Sequence, residues 1–307
     1  MSLTIQEHIP LASLTTFRIG GVARYFADVR TESDISEAVQ WARDHDTRFV
    51  VLSGGSNVLI QGDVLDALVI HIVGNLYGIS EGLVDSWTGT NLLNLIQSMG
   101  AQGLGGWEKL SGIPGTVGGA VRGNAGAFGS EIKDFVVTVR AYNVTTGEGR
   151  EFANAECDFS YRHSFFKDHA EWIITRAILR LTTVEPSESR RLVDETITER
   201  ERRHLQNVQA AGSYFMNPVA PHHIVEMFET EKGVKSRESR VPAGWLIEKA
   251  GMKGATVGGA IASLQHPNYI VNTGSATAED VKRLADTIKA AVQKEFDIAL
   301  REEAALL

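Results

Sequence analysis

Between Gly100 and Ser130 fall eleven of the chain's thirty glycines, with Pro114 as the one other backbone breaker. Such density describes a backbone that must approach something closely or adopt positive φ. A linker would be polar and serine-rich, whereas this stretch carries Leu104, Trp107, Ile113, Val117 and Val121. It reads as a structured loop system. Its centre, Ser111-Gly112-Ile113-Pro114-Gly115-Thr116-Val117-Gly118-Gly119-Ala120, runs on through Arg122-Gly123-Asn124-Ala125-Gly126-Ala127-Phe128-Gly129. A loop this apolar and glycine-rich suits a flat ring joined to a pyrophosphate, and a compact crossover between layers is the alternative.

A second glycine cluster, Ser53-Gly54-Gly55-Ser56-Asn57, follows Phe49-Val50-Val51-Leu52, which reads as a short buried strand. Consecutive glycines let backbone N–H groups converge on an anion, with Ser56 and Asn57 adding donors; a tight strand-to-strand turn fits equally well. Neither cluster has the G-x-G-x-x-G spacing of a Rossmann turn or the G-x-x-x-x-G-K-[ST] of a P-loop. Two such loops in one chain point towards a dinucleotide.

Around them the pattern alternates between extended and helical. Ile35, Ala38, Val39 and Ala42 recur at helical spacing behind Ser33 as a cap, and Leu92, Leu95, Ile96 and Met99 do so between Thr90 and a Gly100 stop. Ala67–Ile72, Phe135–Asn143 and Trp172–Leu181 read as strands, with a turn at Thr146-Gly147. Glu185-Pro186 marks a domain boundary, and Ser187–His204 reads as a charged, solvated helix. Thr277 with Asp280 forms a capping box for a helix whose stripe is Val281, Leu284, Ile288, Val292 and Phe296. The echo of Thr116–Ala120 in Thr256–Ala260 is too short to count as a repeat.

A length of 307 residues gives two or three domains. The 43% hydrophobic and 22% charged fractions are those of a globular protein. The lone Cys157 excludes an intrachain disulfide and fits a reducing compartment. Met1–Pro10 lacks the basic and apolar regions of a signal peptide, and no run approaches a membrane span. The net charge of -8 argues against general nucleic-acid binding.

Further candidates follow downstream. In Tyr161-Arg162-His163-Ser164-Phe165-Phe166-Lys167 the Ser164/Lys167 spacing lacks the companion motifs of a serine acyl-enzyme. The Arg162 fork suits bidentate grip on a carboxylate, although an arginine by itself is more often a structural ion pair. Ser213 lies in Ala211-Gly212-Ser213-Tyr214-Phe215-Met216-Asn217-Pro218, where a serine is ordinarily a turn residue. His222-His223 has no carboxylate or thiolate at metal spacing and reads as a surface loop; no metal site is expected.

Taken in order, these segments resemble the UDP-N-acetylenolpyruvoylglucosamine reductase family almost end to end. The matching stretches are Thr16–Ala23, Val51–Asn57, Gly112–Gly129, Tyr161-Arg162-x-Ser164, Ala211–Pro218, Pro242-Ala243-Gly244-Trp245-Leu246-Ile247 and Phe296–Glu303. The resemblance implies an α+β protein with a vanillyl-alcohol-oxidase (PCMH)-type FAD-binding fold. Residues 1–72 and 73–185 would be two FAD-binding subdomains, and 186–307 an α+β substrate domain. Gly54, Gly55, Ser56 and Asn57 would hold FAD together with Ser111, Gly112, Pro114, Gly115, Thr116, Gly118, Gly119, Asn124 and Gly126.

The implied enzyme is cytoplasmic and supplies peptidoglycan synthesis. NADPH reduces FAD, and reduced flavin then passes hydride to the UDP-linked enolpyruvyl ether. Arg162 would stabilise the enolate-like charge, Ser213 would deliver the proton, and Glu303 would work beside Arg162. Tyr161, Asn217, Gln265 and His266 would hold the substrate, and no membrane or nucleic acid is a partner. Three departures stand out. Met216 occupies a position where the family often has lysine, and Ala304-Ala305-Leu306-Leu307 follows Glu303 where valine, arginine and more strand are usual. The short Asp168–Glu171 segment has no room for the tyrosine-bearing loop of one branch. Another FAD oxidase of the same fold, or a member that binds UDP-sugar without turnover, are the competing readings.

Overall fold

In the computed structural model, which describes residues 3–203 and 207–307, the apolar runs become sheets of four, five and three strands and three cores. The chain divides into two compact units. Unit 1 is Met1–Ile9, Ala23–Gly55 and Asp66–Arg202; unit 2 is Pro10–Val22, Ser56–Leu65 and Arg203–Leu307.

In unit 1, a four-stranded sheet runs in the order Gln6–Pro10, Val22–Val29, Val64–Ile72, Phe49–Leu52. Its last two strands are parallel. Helix α1 (Glu32–Asp44) lays Ile35, Ala38, Val39 and Ala42 against Leu68, Ile70 and Ile72. Each fully buried Ile or Leu of this kind contributes about 1.5–3 kcal/mol. The cap is Thr31, whose hydroxyl accepts the Asp34 N–H in a capping box, so Ser33 lies inside the helix. The Phe49–Leu52 strand is less buried than its composition suggests, with Val51 exposed.

The second sheet of unit 1 is antiparallel, in the order Gly149–Ala153, Val136–Asn143, Trp172–Arg180, Leu83–Trp87, Tyr77–Ser80. Helices α2 (Leu92–Ala101), α3 (Val117–Arg122) and α4 (Phe165–Asp168) share one core with this sheet. Asn91 caps α2, while the Thr90 hydroxyl donates to the Leu76 carbonyl. Trp107, Leu110, Val117 and Val121 enter one core with Leu92, Leu95, Ile96 and Met99. The glycine-rich stretch is thus part of the core of unit 1.

Helix α5 (Pro186–Arg202) belongs to unit 1, which moves the boundary expected at 185/186 to 202/203. The cause is local packing: buried Ser189 donates to the buried Glu108 carboxylate at 2.7 Å, which also accepts the Gly106 N–H. Gly100 does not stop α2; a Cβ there would lie 2.3 Å from Ser189 Oγ, so the glycine admits the crossing helix. His204, expected as the last residue of α5, lies outside the described residues.

Unit 2 packs α6 (His222–Lys232), α7 (Ala243–Lys249) and α8 (Ala278–Phe296) with a three-stranded antiparallel sheet, Thr256–Val257, Ala260–Ala262 and Ile270–Asn272. The α8 stripe is buried as expected, and its capping box is formed. His222-His223 opens a helix where a surface loop was expected. The two Thr-Val-Gly-Gly-Ala segments adopt different structures, a helix start at 116–120 and a strand turn at 256–260. Past Glu303 the chain forms a short strand, Ala305–Leu306, parallel to Val58–Leu59. No helix among the described residues is long and apolar enough to cross a membrane.

Candidate active site

In unit 1 the two glycine loops meet. The Ser53 and Thr116 hydroxyls lie 2.8 Å apart, and a Cβ on Gly54 would sit 2.6 Å from the Gly115 Cα. Only glycine permits that backbone contact. Thr116 caps α3 by accepting the Gly119 N–H, and Gly115 takes positive φ (119°). The N–H groups of Gly54, Gly55 and Gly115 have no acceptor among the described residues. Gly119 is exposed, and a Cβ there would meet only Thr116 Oγ1, at 3.7 Å. The result is a bare, donor-rich surface suited to an anion.

Three residues expected at the cofactor have internal partners. Gly118 is buried, its N–H donates to the Thr88 carbonyl, and a Cβ would strike Thr88 Oγ1 at 1.6 Å, so its constraint is internal packing. Asn124 is fully buried. Its amide donates to Glu131 and to the Ser160 carbonyl, and its oxygen accepts the Lys133 N–H. It shapes the loop and presents no surface to a ligand. Asn57 lies in unit 2, where its side chain donates to the Glu303 carbonyl and its carbonyl accepts the Ala305 N–H. Ser56 is likewise in unit 2. Ser111 and Gly112 are buried in unit 1, and Ser111 Oγ has no hydrogen-bond partner there; Pro114 is exposed beside them.

Arg162 sits at the tip of a tight turn closed by paired Ser160 and His163 backbone bonds. Its φ of 56° is left-handed, a sparsely populated state for a side-chain-bearing residue. The guanidinium donates to the Gly126 carbonyl at 3.0 Å and lies 5.2 Å from the Tyr161 ring centre. Ser164, fully buried, donates to the Arg122 carbonyl and moors this turn to α3. That hydroxyl holds structure and is no nucleophile.

In unit 2, Ser213 and Glu303 come together on neighbouring segments. The Tyr214 carbonyl accepts the Glu303 N–H at 2.8 Å, and Met216 N–H donates to Arg301. On the other side Asn268 mimics a strand partner: its carbonyl accepts Tyr214 N–H, its side chain accepts Phe215 N–H, and its amide donates to Phe215 O. Asn268, buried in the structure, escapes sequence reading because an asparagine after Pro267 looks like an ordinary turn residue. Ser213 is half-buried, and its hydroxyl bonds no described residue. The adjacent Tyr214 phenol is pushed up to about 12, chiefly by burial and then by Glu302. Glu302 is held by Lys289 of α8 at 2.6 Å.

The substrate candidates are spread out. Asn217 Oδ1 accepts the Ala243 N–H and so caps α7. Gln265 is exposed, its side chain near Ser263 Oγ, and the Gln265 and His266 N–H groups both donate to that hydroxyl. His266 stands 4.7 Å from the Tyr269 ring. No three His, Cys, Asp or Glu side chains among the described residues gather to hold a metal ion.

Residues 203–307 match the family described as UDP-N-acetylenolpyruvoylglucosamine reductase, C-terminal domain, and residues 23–152 match an FAD binding domain. A curated relative from Solibacter usitatus, named UDP-N-acetylenolpyruvoylglucosamine reductase, is 34% identical over 98% of this chain and 96% of its own. One of the same name from Pseudomonas aeruginosa is 34% identical over 99% of each. The chain belongs to the UDP-N-acetylenolpyruvoylglucosamine reductase family. The crystal structure of UDP-N-acetylenolpyruvylglucosamine reductase from Thermus caldophilus superposes with a TM-score of 0.77 at 30% identity, covering 99% of both chains.

The FAD-binding match spans both glycine loops of unit 1, so this family member binds FAD through an α+β, PCMH-type domain. The residues present fit that group. Open N–H donors at Gly54, Gly55 and Gly115 and the side-chain-free Gly119 suit a pyrophosphate and a flat ring.

Proposed function

We propose that this family member catalyses the NADPH-dependent reduction of UDP-N-acetylglucosamine enolpyruvate to UDP-N-acetylmuramate for peptidoglycan precursors. Bound FAD relays two electrons from the nicotinamide to the enolpyruvyl ether. Unit 1 carries FAD between its glycine loops, and unit 2 carries the UDP-linked substrate. The site is cytoplasmic, and the net charge of -8 disfavours a nucleic-acid partner.

The observation that carries the reading is the Ser213 hydroxyl: half-buried, bound to no described residue, on a segment pinned by Asn268 and by the Glu303 N–H. A hydroxyl held ready but uncommitted is what a proton donor to a carbanion requires. A serine is a weak acid, so the acceptor must be strongly basic, and carbon adjacent to a carboxylate is such an acceptor once reduced. Arg162, aimed by Gly126 and Tyr161, stabilises the negative charge gathering on that carboxylate. Glu303 assists the same charge rearrangement. Mixing the purified protein with NADPH and UDP-N-acetylglucosamine enolpyruvate tests this. NADPH is consumed beyond one equivalent per flavin only when the enolpyruvyl substrate is present if the reading is right, and no substrate-dependent consumption rejects it.

A further inference from the structure

Lys289 of α8 reaches the C-terminal segment. Its ammonium lies 2.6 Å from Glu302 Oε1 and 2.7 Å from Asp286 Oδ1, one turn back on the same helix. The Lys289 and Glu302 side chains are each about two-thirds covered, at 31% and 32% exposure. Glu302 is bridged to Phe215, and the flanking bonds join Glu303 to Tyr214 and Met216 to Arg301. In an extended segment neighbouring side chains alternate, so fixing Glu302 towards α8 turns Glu303 to the opposite side. The same clamp fixes the backbone that follows Ser213.

We infer that Lys289 is a positioning residue: through Glu302 it holds the 301–303 segment in register with residues 214–216, and so sets where Ser213 and Glu303 point. The inference rests on the reading of those two residues as groups of the substrate half-reaction. An ion pair this accessible adds little to global stability. Displacing a reacting group by about 1 Å, however, can cost roughly 10²-fold in rate.

The test separates the two half-reactions by anaerobic rapid mixing. In Lys289→Met, flavin bleaching by NADPH should run at the wild-type rate, while reoxidation by the enolpyruvyl substrate slows by about 10-fold or more. Lys289→Arg, which keeps the pair with Glu302, should restore reoxidation. Glu302→Gln, which leaves the lysine in place, should slow it as Lys289→Met does and covers the case in which that variant folds poorly. Wild-type reoxidation in both Lys289→Met and Glu302→Gln, equal slowing of both half-reactions, or failure of arginine to rescue would overturn the inference. Ser213→Ala run alongside distinguishes the failures: normal reoxidation there sinks the reading of Ser213, whatever Lys289 does.

Discussion

Arg162 holds a left-handed φ of 56° in a turn that glycine or asparagine would occupy with less strain. Such a conformation costs on the order of 1–3 kcal/mol and persists where the surroundings over-determine it. Here the Ser160–His163 bonds, the Lys167 ammonium on the Arg162 carbonyl and the Gly126 contact do so. Arg162→Lys keeps the charge and loses the fork. We expect kcat to fall by roughly 10²-fold with little change in Tm. A lower Tm with unchanged activity per folded molecule would make Arg162 a structural residue. Cys157 gives a contrasting prediction. Burial pushes its thiol up to about 12, so iodoacetamide at pH 8 should leave the native protein unlabelled and modify it fully once unfolded. Rapid labelling of the native protein would contradict the burial.

At the scale of elements, the glycines of α3 divide by role. A Cβ on Gly118 collides with Thr88, so Gly118→Ala should destabilise unit 1 by about 1–3 kcal/mol, read as a lower Tm. Gly119→Ala meets no such obstacle, and in a helix it should leave stability unchanged or raise it by about 0.4–1 kcal/mol. Its effect should fall on FAD, with a higher Kd in flavin titration. If both variants lose stability and retain FAD, Gly119 does not face the cofactor. From sequence these two adjacent glycines are indistinguishable, because what separates them is Thr88, thirty residues away in the chain. Elements whose signals are local were legible: the Thr277 capping box and the α8 stripe lie within a few turns of each other. The caps of α1 and α2 were misread by a residue or two because Thr31, Ser33, Thr90 and Asn91 are all plausible acceptors. Only the turn geometry chooses among them.

At the scale of the whole molecule, the chain passes between the units at 9/10, 22/23, 55/56, 65/66 and 202/203. Only the last has a charged flank, residues 199–203, and it reads as the end of a helix; the other four have no proline-rich or charged linker to betray them. For that reason Gly54-Gly55 and Ser56-Asn57 read as one loop although they serve different units. Likewise α5 reads as the start of a new domain although Ser189 and Glu108 fasten it to the first. The candidate site was legible only through a resemblance spanning many segments, since Ser213 alone is an ordinary turn serine. What the structure adds is its free hydroxyl and the supports on either side.

On the proposed reading two half-reactions share one flavin, and Ser213 serves only the second. Rapid mixing of Ser213→Ala, first with NADPH and then with UDP-N-acetylglucosamine enolpyruvate, addresses this directly. Flavin bleaching should remain near wild type, while reoxidation slows by about 10²–10⁴-fold, the usual worth of a positioned general acid. Ser213→Cys should recover part of that loss, since a thiol still donates. If Ser213→Ala reoxidises its flavin within a few fold of wild type, or if both steps slow together, Ser213 is not the proton donor and the account is wrong.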